Sequence, residues 1–342
     1  SALNTVFLGQ DLFNLFVALE LLTFSAVPLV CLDGRRETVQ AALRYLLFAL
    51  IGSVFYLMGA ALLYGAYGTL DIAGLRLVAR DDPATSVALG LMIVGLMAQA
   101  ALFPLHLWLP PAHAGAPAAA SAVLSALVVK APFFLILRLW FDVAPQPGNQ
   151  IAAQMLALLG ISSIIFCSVM ALRQVRLKLM IAYSTVAQVG YLFLVFPLVM
   201  ASDAPSAWQS IGWTGGVLQL VSHALAKASM FLAAGLIAEA LGHDRIDNLN
   251  GAVTAVPISV AAFGLAGLSL MGLPPSGGFV AKLMLLTAAT ETANWWIVAA
   301  ILVGGILAAS YVFRVLGRAM AAPEIGFKAI ARMDLRSLAR PV

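Results

Sequence analysis

In SHALAKASMFLAAG, residues 222–235, an imidazole, His223, stands four residues before an ammonium, Lys227, in a stretch otherwise fit for hydrocarbon. Residues four apart share a helix face, so this pair can exchange a proton directly or through one water. Three more ionisable groups sit in comparable apolar runs: Glu20 in LFVALELLTFSAVPLV, Lys130 in AVLSALVVKAPFFLIL and Lys282 in GGFVAKLMLLTAA. A charged side chain at a bilayer centre costs about 2.5 to 3.5 kcal/mol on insertion scales, so the glutamate and the three lysines cost about 10 kcal/mol or more before pairing. That is comparable with the stability of a whole domain. Burial disfavours a lysine's charged form whereas a carboxylate beside it favours it, and groups held between these influences can change charge as protons pass.

Each residue has a plainer alternative. Glu20 and Lys130 could form a buried structural ion pair, His223 could be a hydrogen-bonded packing residue, and Lys282 could be solvated by a shallow cavity. Asp11, Arg44, Arg138 and Arg314 fall near helix ends and read as snorkelling anchors or packing contacts.

The elements that must position these groups are transmembrane helices. Of 342 residues 62% are hydrophobic and only 10% charged, which excludes a soluble domain and leaves one membrane domain over 1–342. Spanning-length apolar stretches occur at 6–32, 42–67, 86–109, 117–141, 151–172, 179–200, 211–241, 253–290 and 296–318. The stretch 253–290 is too long for one straight helix and is interrupted by GLPPSGG, residues 272–278, with Pro274 and Pro275. The loops at 33–44, 173–178 and 242–248 and the tail with Arg314, Arg318, Lys328, Arg332, Arg336 and Arg340 carry the basic residues expected of cytoplasmic segments. Loops 142–150, 201–210 and 291–296 carry no Lys or Arg and read as external. The alternation works if 253–290 crosses once as a broken helix, giving an all-α fold of about nine crossings with the start outside and the tail inside. The loop 71–85 fits least well, being external by parity while carrying Arg76 and Arg80 beside Asp81 and Asp82. The first, partial half runs over 6–141, the second over 151–290, and 296–342 holds the last helix and a basic tail whose FKAIARMDLRSLAR suits an interface helix.

A second interruption, FPLHLWLPPAHAGAP at 103–117, carries His106 and His113, either gating a path or hydrogen-bonding unwound backbone. Unwound backbone persists in a membrane only where protein buries it or it lines a watery cavity, and paired Gly/Pro-broken segments point to a transporter's path. The alternatives are a surface loop at 103–117 and an ordinary proline kink at Pro274. Cys31 and Cys167 have no metal-ligand or redox spacing, and no GxSxG, P-loop, dinucleotide fingerprint or HExxH occurs. We therefore expect no catalytic site, no metal and no cofactor on this chain, and no nucleic-acid partner.

ALFPLHLWLPPAHAGAPAAASAVLSALVVKAPFFLILRL (101–139), LKLMIAYSTVAQVGYLFL (177–194), LVSHALAKASMFLAAGLI (220–237) and LSLMGLPPSGGFVAKLMLL (268–286) resemble, in the same order, motifs of a known superfamily. It comprises the antiporter-like subunits of respiratory complex I, membrane-bound hydrogenases and multisubunit Mrp cation/proton antiporters. The resemblance covers nearly all the chain, and GTLDIAGL (68–75), YVFRVLGRAM (311–320) and the lysine at 282 look closest to the Mrp and hydrogenase-type members. It implies an inverted-repeat fold and proton translocation through Glu20, Lys130, Lys227 with His223, and Lys282. It also implies other membrane subunits as partners, protons with Na+ or K+ as the exchanged cation left open, and a bacterial or archaeal cytoplasmic membrane. Chemistry, as in an NADH:quinone oxidoreductase-like or hydrogenase complex, would reside on partners.

Two positions depart from the family. A lysine paired with the helix glutamate usually precedes the FPLH stretch, and here Gln99 stands there; Arg176 stands where Asp or Asn is common. Gln99 can hold water but cannot titrate, so the first half-channel is altered, or the chain is a non-conducting scaffold. Members typically carry further crossings on both sides of this region, so a fragment or a shortened member is expected.

Overall fold

The computed structural model describes residues 2–144, 150–200 and 206–322. The basic tail from residue 323, and residues 145–149 and 201–205 of two loops read as external, lie outside the described residues. Apolar sequence in a medium without hydrogen-bonding partners must satisfy its backbone internally, and the chain does so as helices throughout the described residues.

In chain order these are α1 (Ala2–Leu8), α2 (Leu12–Val30), α3 (Arg36–Tyr67), α4 (Ile72–Val78), α5 (Pro83–Gln99), α6 (Leu109–Gly115), α7 (Ala118–Val123) and α8 (Lys130–Arg138). There follow α9 (Gln150–Leu172), α10 (Leu177–Leu192), α11 (Val195–Val199), α12 (Ser206–Leu241), α13 (Ala252–Ala255), α14 (Pro257–Met271), α15 (Gly277–Glu291) and α16 (Trp295–Met320). Among the described residues seven helical segments are long and apolar enough to cross a membrane: Leu12–Val30, Arg36–Tyr67, Ala118–Val143, Gln150–Leu172, Leu177–Val199, Ala207–Leu241 and Trp295–Met320. α5 and α14 are apolar but shorter. The chain is an all-α, polytopic integral membrane protein, with seven long spans where the sequence alone suggests nine.

Both expected interruptions are present. α5 stops at Gln99, four residues before FPLH, and the chain turns through residues 100–108 before α6. The indole of Trp108, fully buried, anchors this segment by donating to Ala98 O at 2.9 Å and stacking on Tyr45 at 4.3 Å. α14 ends at Gly272, whose φ of 79° suits glycine, and α15 starts from Ser276, whose hydroxyl caps Phe279 N at 3.1 Å. The span that begins with α7 is not a uniform helix: π-helical turns occupy Leu124–Val128 and Leu139–Val143.

Helix pairs set the packing. α3 lies along α5, α9 along α10, and α12 against both α14 and α15. Loops are clasped at two places by short backbone pairings, Asp11 with Asp71 and Arg176 with Arg245. α10 is central: 89% of the most apolar window of Leu177–Val199 is buried, against 39% for α2, α3 and α16. A helix covered on every side by protein can present polar groups without exposing them to lipid.

Candidate functional site

Three of the expected lysines are buried and grip backbone carbonyls. The Lys130 ammonium donates to Ser125 O, inside the π turn that precedes it. There Val129 N–H reaches back to Leu124 O at 3.4 Å, shifting the helical ladder by one residue. Such π turns cluster at functional sites. Lys227, with no exposed surface, donates to Ile181 O at 3.0 Å and to Ser184 Oγ. Lys282 donates to Leu270 O, a carbonyl at the end of α14 that the break leaves without an onward helical partner, and its ammonium sits 4.4 Å from the Tyr191 ring centroid. A helix C-terminus carries partial negative charge and an aromatic face attracts a cation, so both contacts favour the ammonium. Glycine is required at 272 on a second count: a Cβ there would lie 2.7 Å from Lys282 Cδ. Lys282 also borders an apolar cleft of about 340 Å³ at the bundle surface, lined by Met271, Leu283, Leu302 and Ile306.

One helix joins these sites. On α10, Ser184 binds Lys227, while Thr185 Oγ1 lies 2.8 Å from Ser125 Oγ, beside the carbonyl that holds Lys130. Gln188 donates to Leu270 O at 3.2 Å, the oxygen that also accepts from Lys282, and accepts from Gln219 Nε2 at 3.0 Å. Tyr191 completes the row beneath Lys282. Positions 184, 185, 188 and 191 share one face of α10 by helical spacing.

His223 is 1% exposed, and among the described residues neither ring nitrogen has a hydrogen-bond partner. Its imidazole therefore does not bond Lys227 directly, although the two share α12. His113 is likewise buried with both nitrogens unpartnered, stacked on Phe231 at 4.5 Å, and His106 stacks on Phe103 at 5.5 Å. Pro274 and Pro275 are exposed in the second break.

Glu20 belongs to a separate group. Its carboxylate accepts from Ser53 Oγ, which in turn accepts from Gln99 Nε2 at 2.9 Å; the same amide reaches Ala49 O at 3.3 Å. The structural ion pair considered for Glu20 and Lys130 is absent. Ion pairs among the described residues are Arg35–Asp33, Arg138–Asp142, Arg176–Asp244 and Arg314–Asp247, and none involves Glu20 or the three lysines. A small cavity lined by Thr23, Tyr45, Gln99, Val128 and Pro132 separates this group from the helix of Lys130.

Residues 9–308 match the family model described as NADH:quinone oxidoreductase/Mrp antiporter, TM. The chain belongs to that family. It is 36% identical over 313 residues to the NADH-quinone oxidoreductase subunit N of Desulforudis audaxviator, covering 90% of this chain and 60% of the relative. The corresponding protein of Rubrobacter xylanophilus is 32% identical, with 90% and 63% covered. The chain thus spans about 60% of the length of these curated relatives. Among solved structures, a chain of the Mrp complex from Dietzia sp. superposes with a TM-score of 0.86 at 28% identity, covering 98% of this chain and 64% of that one. A chain of an archaeal membrane-bound sulfane sulfur reductase gives 0.85 at 32%, with 96% and 66% covered, and one of Thermus thermophilus complex I gives 0.79 at 29%, with 98% and 71% covered.

The partners of the buried lysines are not evident from the motifs. Ser53, Ser125, Ser184, Thr185, Gln188, Tyr191 and Gln219 all lay unremarked in the sequence. For α10 a signal existed: polar residues at i, i+1, i+4 and i+7 in a span otherwise apolar. Arg176, the other departure, pairs with Asp244 at 3.1 Å and donates to Ala114 O at 3.3 Å, tying the loop after α9 to the segment that carries His113.

Proposed function

We propose that this chain is the proton-translocating, antiporter-like membrane subunit of a multisubunit complex. The observation that carries the reading is the row along α10, on which Lys130, Lys227 and Lys282 are tied to one buried helix through Ser125, Ser184, Gln188 and Tyr191. Protonating one lysine raises the cost of protonating the next by charge repulsion, so a proton arriving at one end drives one off at the other. Each ammonium holds a carbonyl or hydroxyl that it must release to give up its proton, and the two broken segments supply backbone able to rearrange as it does so. Glu20 with Gln99, and the histidines His106, His113 and His223, serve as entry or relay groups, with Pro274 and Pro275 shaping the second break.

In this reading α5 and the broken pair α14 and α15 complete nine crossings in two inverted halves, 6–141 and 151–290, with one broken segment in each. The start of the chain lies outside a bacterial or archaeal cytoplasmic membrane and the tail inside. The partners are other membrane subunits, and Na+ or K+ is the candidate exchanged ion. The similar structures come from an Mrp complex, a membrane-bound sulfane sulfur reductase and respiratory complex I, so the driving reaction is read from the partners. Iron–sulfur, flavin or nickel subunits co-purifying with the native complex would assign a redox-driven pump, and small hydrophobic partners alone an antiporter.

The test is proton movement into vesicles holding the purified complex, driven by its electron donor or by an imposed Na+ or K+ gradient. Lys282→Ala abolishes movement while leaving assembly intact. Retained transport at normal stoichiometry would refute the path. A second reading, a non-conducting scaffold, is favoured by the neutral Gln99; under it the native complex moves no protons and Gln99→Lys makes transport appear.

A further inference from the structure

Several serines in the spans of this chain bond their own helix: Ser25 to Leu21 O, Ser162 to Leu158 O and Ser310 to Ile306 O, each to the carbonyl one turn back. That is the usual habit of a hydroxyl in a membrane helix. Ser53, in the middle of α3 and 4% exposed, does something else. Its hydroxyl donates across to Glu20 on α2 and accepts from Gln99 on α5. A hydroxyl has one hydrogen and two lone pairs, so both bonds can exist at once.

Backbone contact between α3 and α5 creates this arrangement. A Cβ at Gly52 would lie 2.6 Å from Gly95 O, and one at Gly95 would lie 2.2 Å from Gly52 O. Ser53 follows the first glycine and Gln99 stands one turn after the second, so the close approach brings hydroxyl and amide within hydrogen-bond distance. Gln99 is held by a second bond to Ala49 O, one turn before Ser53 on the same helix. Its amide is therefore a fixed donor, and Ser53 is the only link found between it and Glu20 among the described residues.

We propose that Ser53 is a positioning residue of the translocation path, its hydroxyl holding the Glu20 carboxylate toward Gln99. It makes through a hydroxyl the connection that a lysine at position 99 would make by direct ion pairing. Gln99 also lines the small cavity whose other side includes Val128 and Pro132, two residues before and after Lys130. This inference rests on the translocation function proposed above.

The experiment compares four variants of the intact complex in vesicles: Ser53→Ala, Ser53→Thr, Gln99→Lys and the double Ser53→Ala/Gln99→Lys. A hydrogen bond to a charged group corresponds to about tenfold or more in rate. Ser53→Ala is expected to slow proton movement by about that factor and to shift the isotope-edited infrared band of the Glu20 carboxyl. Ser53→Thr keeps the hydroxyl and restores both. In the double variant the lysine reaches Glu20 without the serine, so the added effect of Ser53→Ala shrinks. Wild-type rate and an unshifted band in Ser53→Ala overturn the proposal. Equal loss in both backgrounds, or no rescue by Ser53→Thr, does so as well, by assigning Ser53 to packing. If Ser53→Ala does not assemble, Ser53→Cys, similar in size but a weak donor, gives the same reading. Glu20→Gln and Lys282→Ala separate the two levels. If both transport normally the translocation reading itself fails, whereas if both are inactive while Ser53→Ala is active, only Ser53's role is lost.

Discussion

The two polar regions of this bundle solve the problem of buried charge by opposite means. Around Glu20 a carboxylate is served by a side-chain hydroxyl, and the link spans three helices, of which α3 and α5 meet closely at Gly52 and Gly95. Around α10 the ammonium groups are served mainly by backbone carbonyls, released by a π turn at Ser125 and by the end of α14 at Leu270. An acceptor such as a carboxylate needs donors, and in a helix nearly every N–H is already used, so side chains must supply them. A donor such as lysine can use any carbonyl that helix irregularity frees. A π turn and a break therefore accompany Lys130 and Lys282, while a tight, regular helix pair accompanies the glutamate.

The sharpest way to break this contrast is to remove one polar side chain from each region. Lys227→Ala, which empties the contacts to Ile181 O and Ser184, is expected to reduce proton movement below detection. Gln99→Leu, in the other region, leaves Glu20 and Ser53 in contact and is expected to slow it only by about tenfold, the worth of one or two lost hydrogen bonds. Equal losses would mean the regions do not differ. Next in size, Gln188→Leu removes the bonds to Gln219 and Leu270 O, and proton movement should fall by several-fold with Lys282 still in place. The same flux assay decides it.

Gly95→Val tests the helix approach instead of the chemistry. Its side chain must displace the backbone of α3, and overpacking of this kind costs about 1–3 kcal/mol or more. Thermal unfolding of the detergent-solubilised complex should show the loss, with the Glu20 infrared band disturbed. An unchanged melting temperature would show that α3 and α5 can part freely.

The smallest effect belongs to the far end of the same pair. Asp82 caps α5 by accepting from Thr85 N at 2.7 Å and also accepts from Tyr67 on α3 at 3.2 Å. The backbone bond from Thr85 first, then the Thr85 and Tyr67 side chains, hold its carboxyl below the usual carboxylate range. A lowered folded value contributes stability above the unfolded value of about 3.9 and loses it as pH falls through the folded one. Asp82→Asn, which can still cap, should melt slightly lower than wild type at neutral pH, and the gap should close in acid below about pH 4. A gap independent of pH would remove charge from the account.

How much of this was legible in the chain depends on the price of each feature in hydrocarbon. Lys130, Lys227, Lys282 and Glu20 stood out because ions in apolar runs are expensive and need a reason. The two breaks stood out because Gly and Pro punctuate helices, although the first begins at Ala100, with the positive φ of Ala101 at 55°, ahead of the prolines that mark it in the sequence. The π turns at Leu124–Val128 and Leu139–Val143 have no comparable signature. Ser53 was invisible for a similar reason: a serine in a span reads as bonded to its own backbone, and only the neighbouring helices show otherwise.

By itself the sequence determined the membrane class, the run of helices and their interruptions, the family, and the inventory of groups that can carry charge. These depend on composition and local pattern, which fix what each segment can be in lipid. Tertiary structure alone decided the pairings. It joined Glu20 to Ser53 and Gln99 instead of to Lys130, left His223 unbonded to Lys227, and made α10 the common support of three lysines. A hydrogen bond between residues 46 or 82 positions apart depends on how helices meet, and helices meet by shape, at glycines and freed carbonyls, which no single segment encodes.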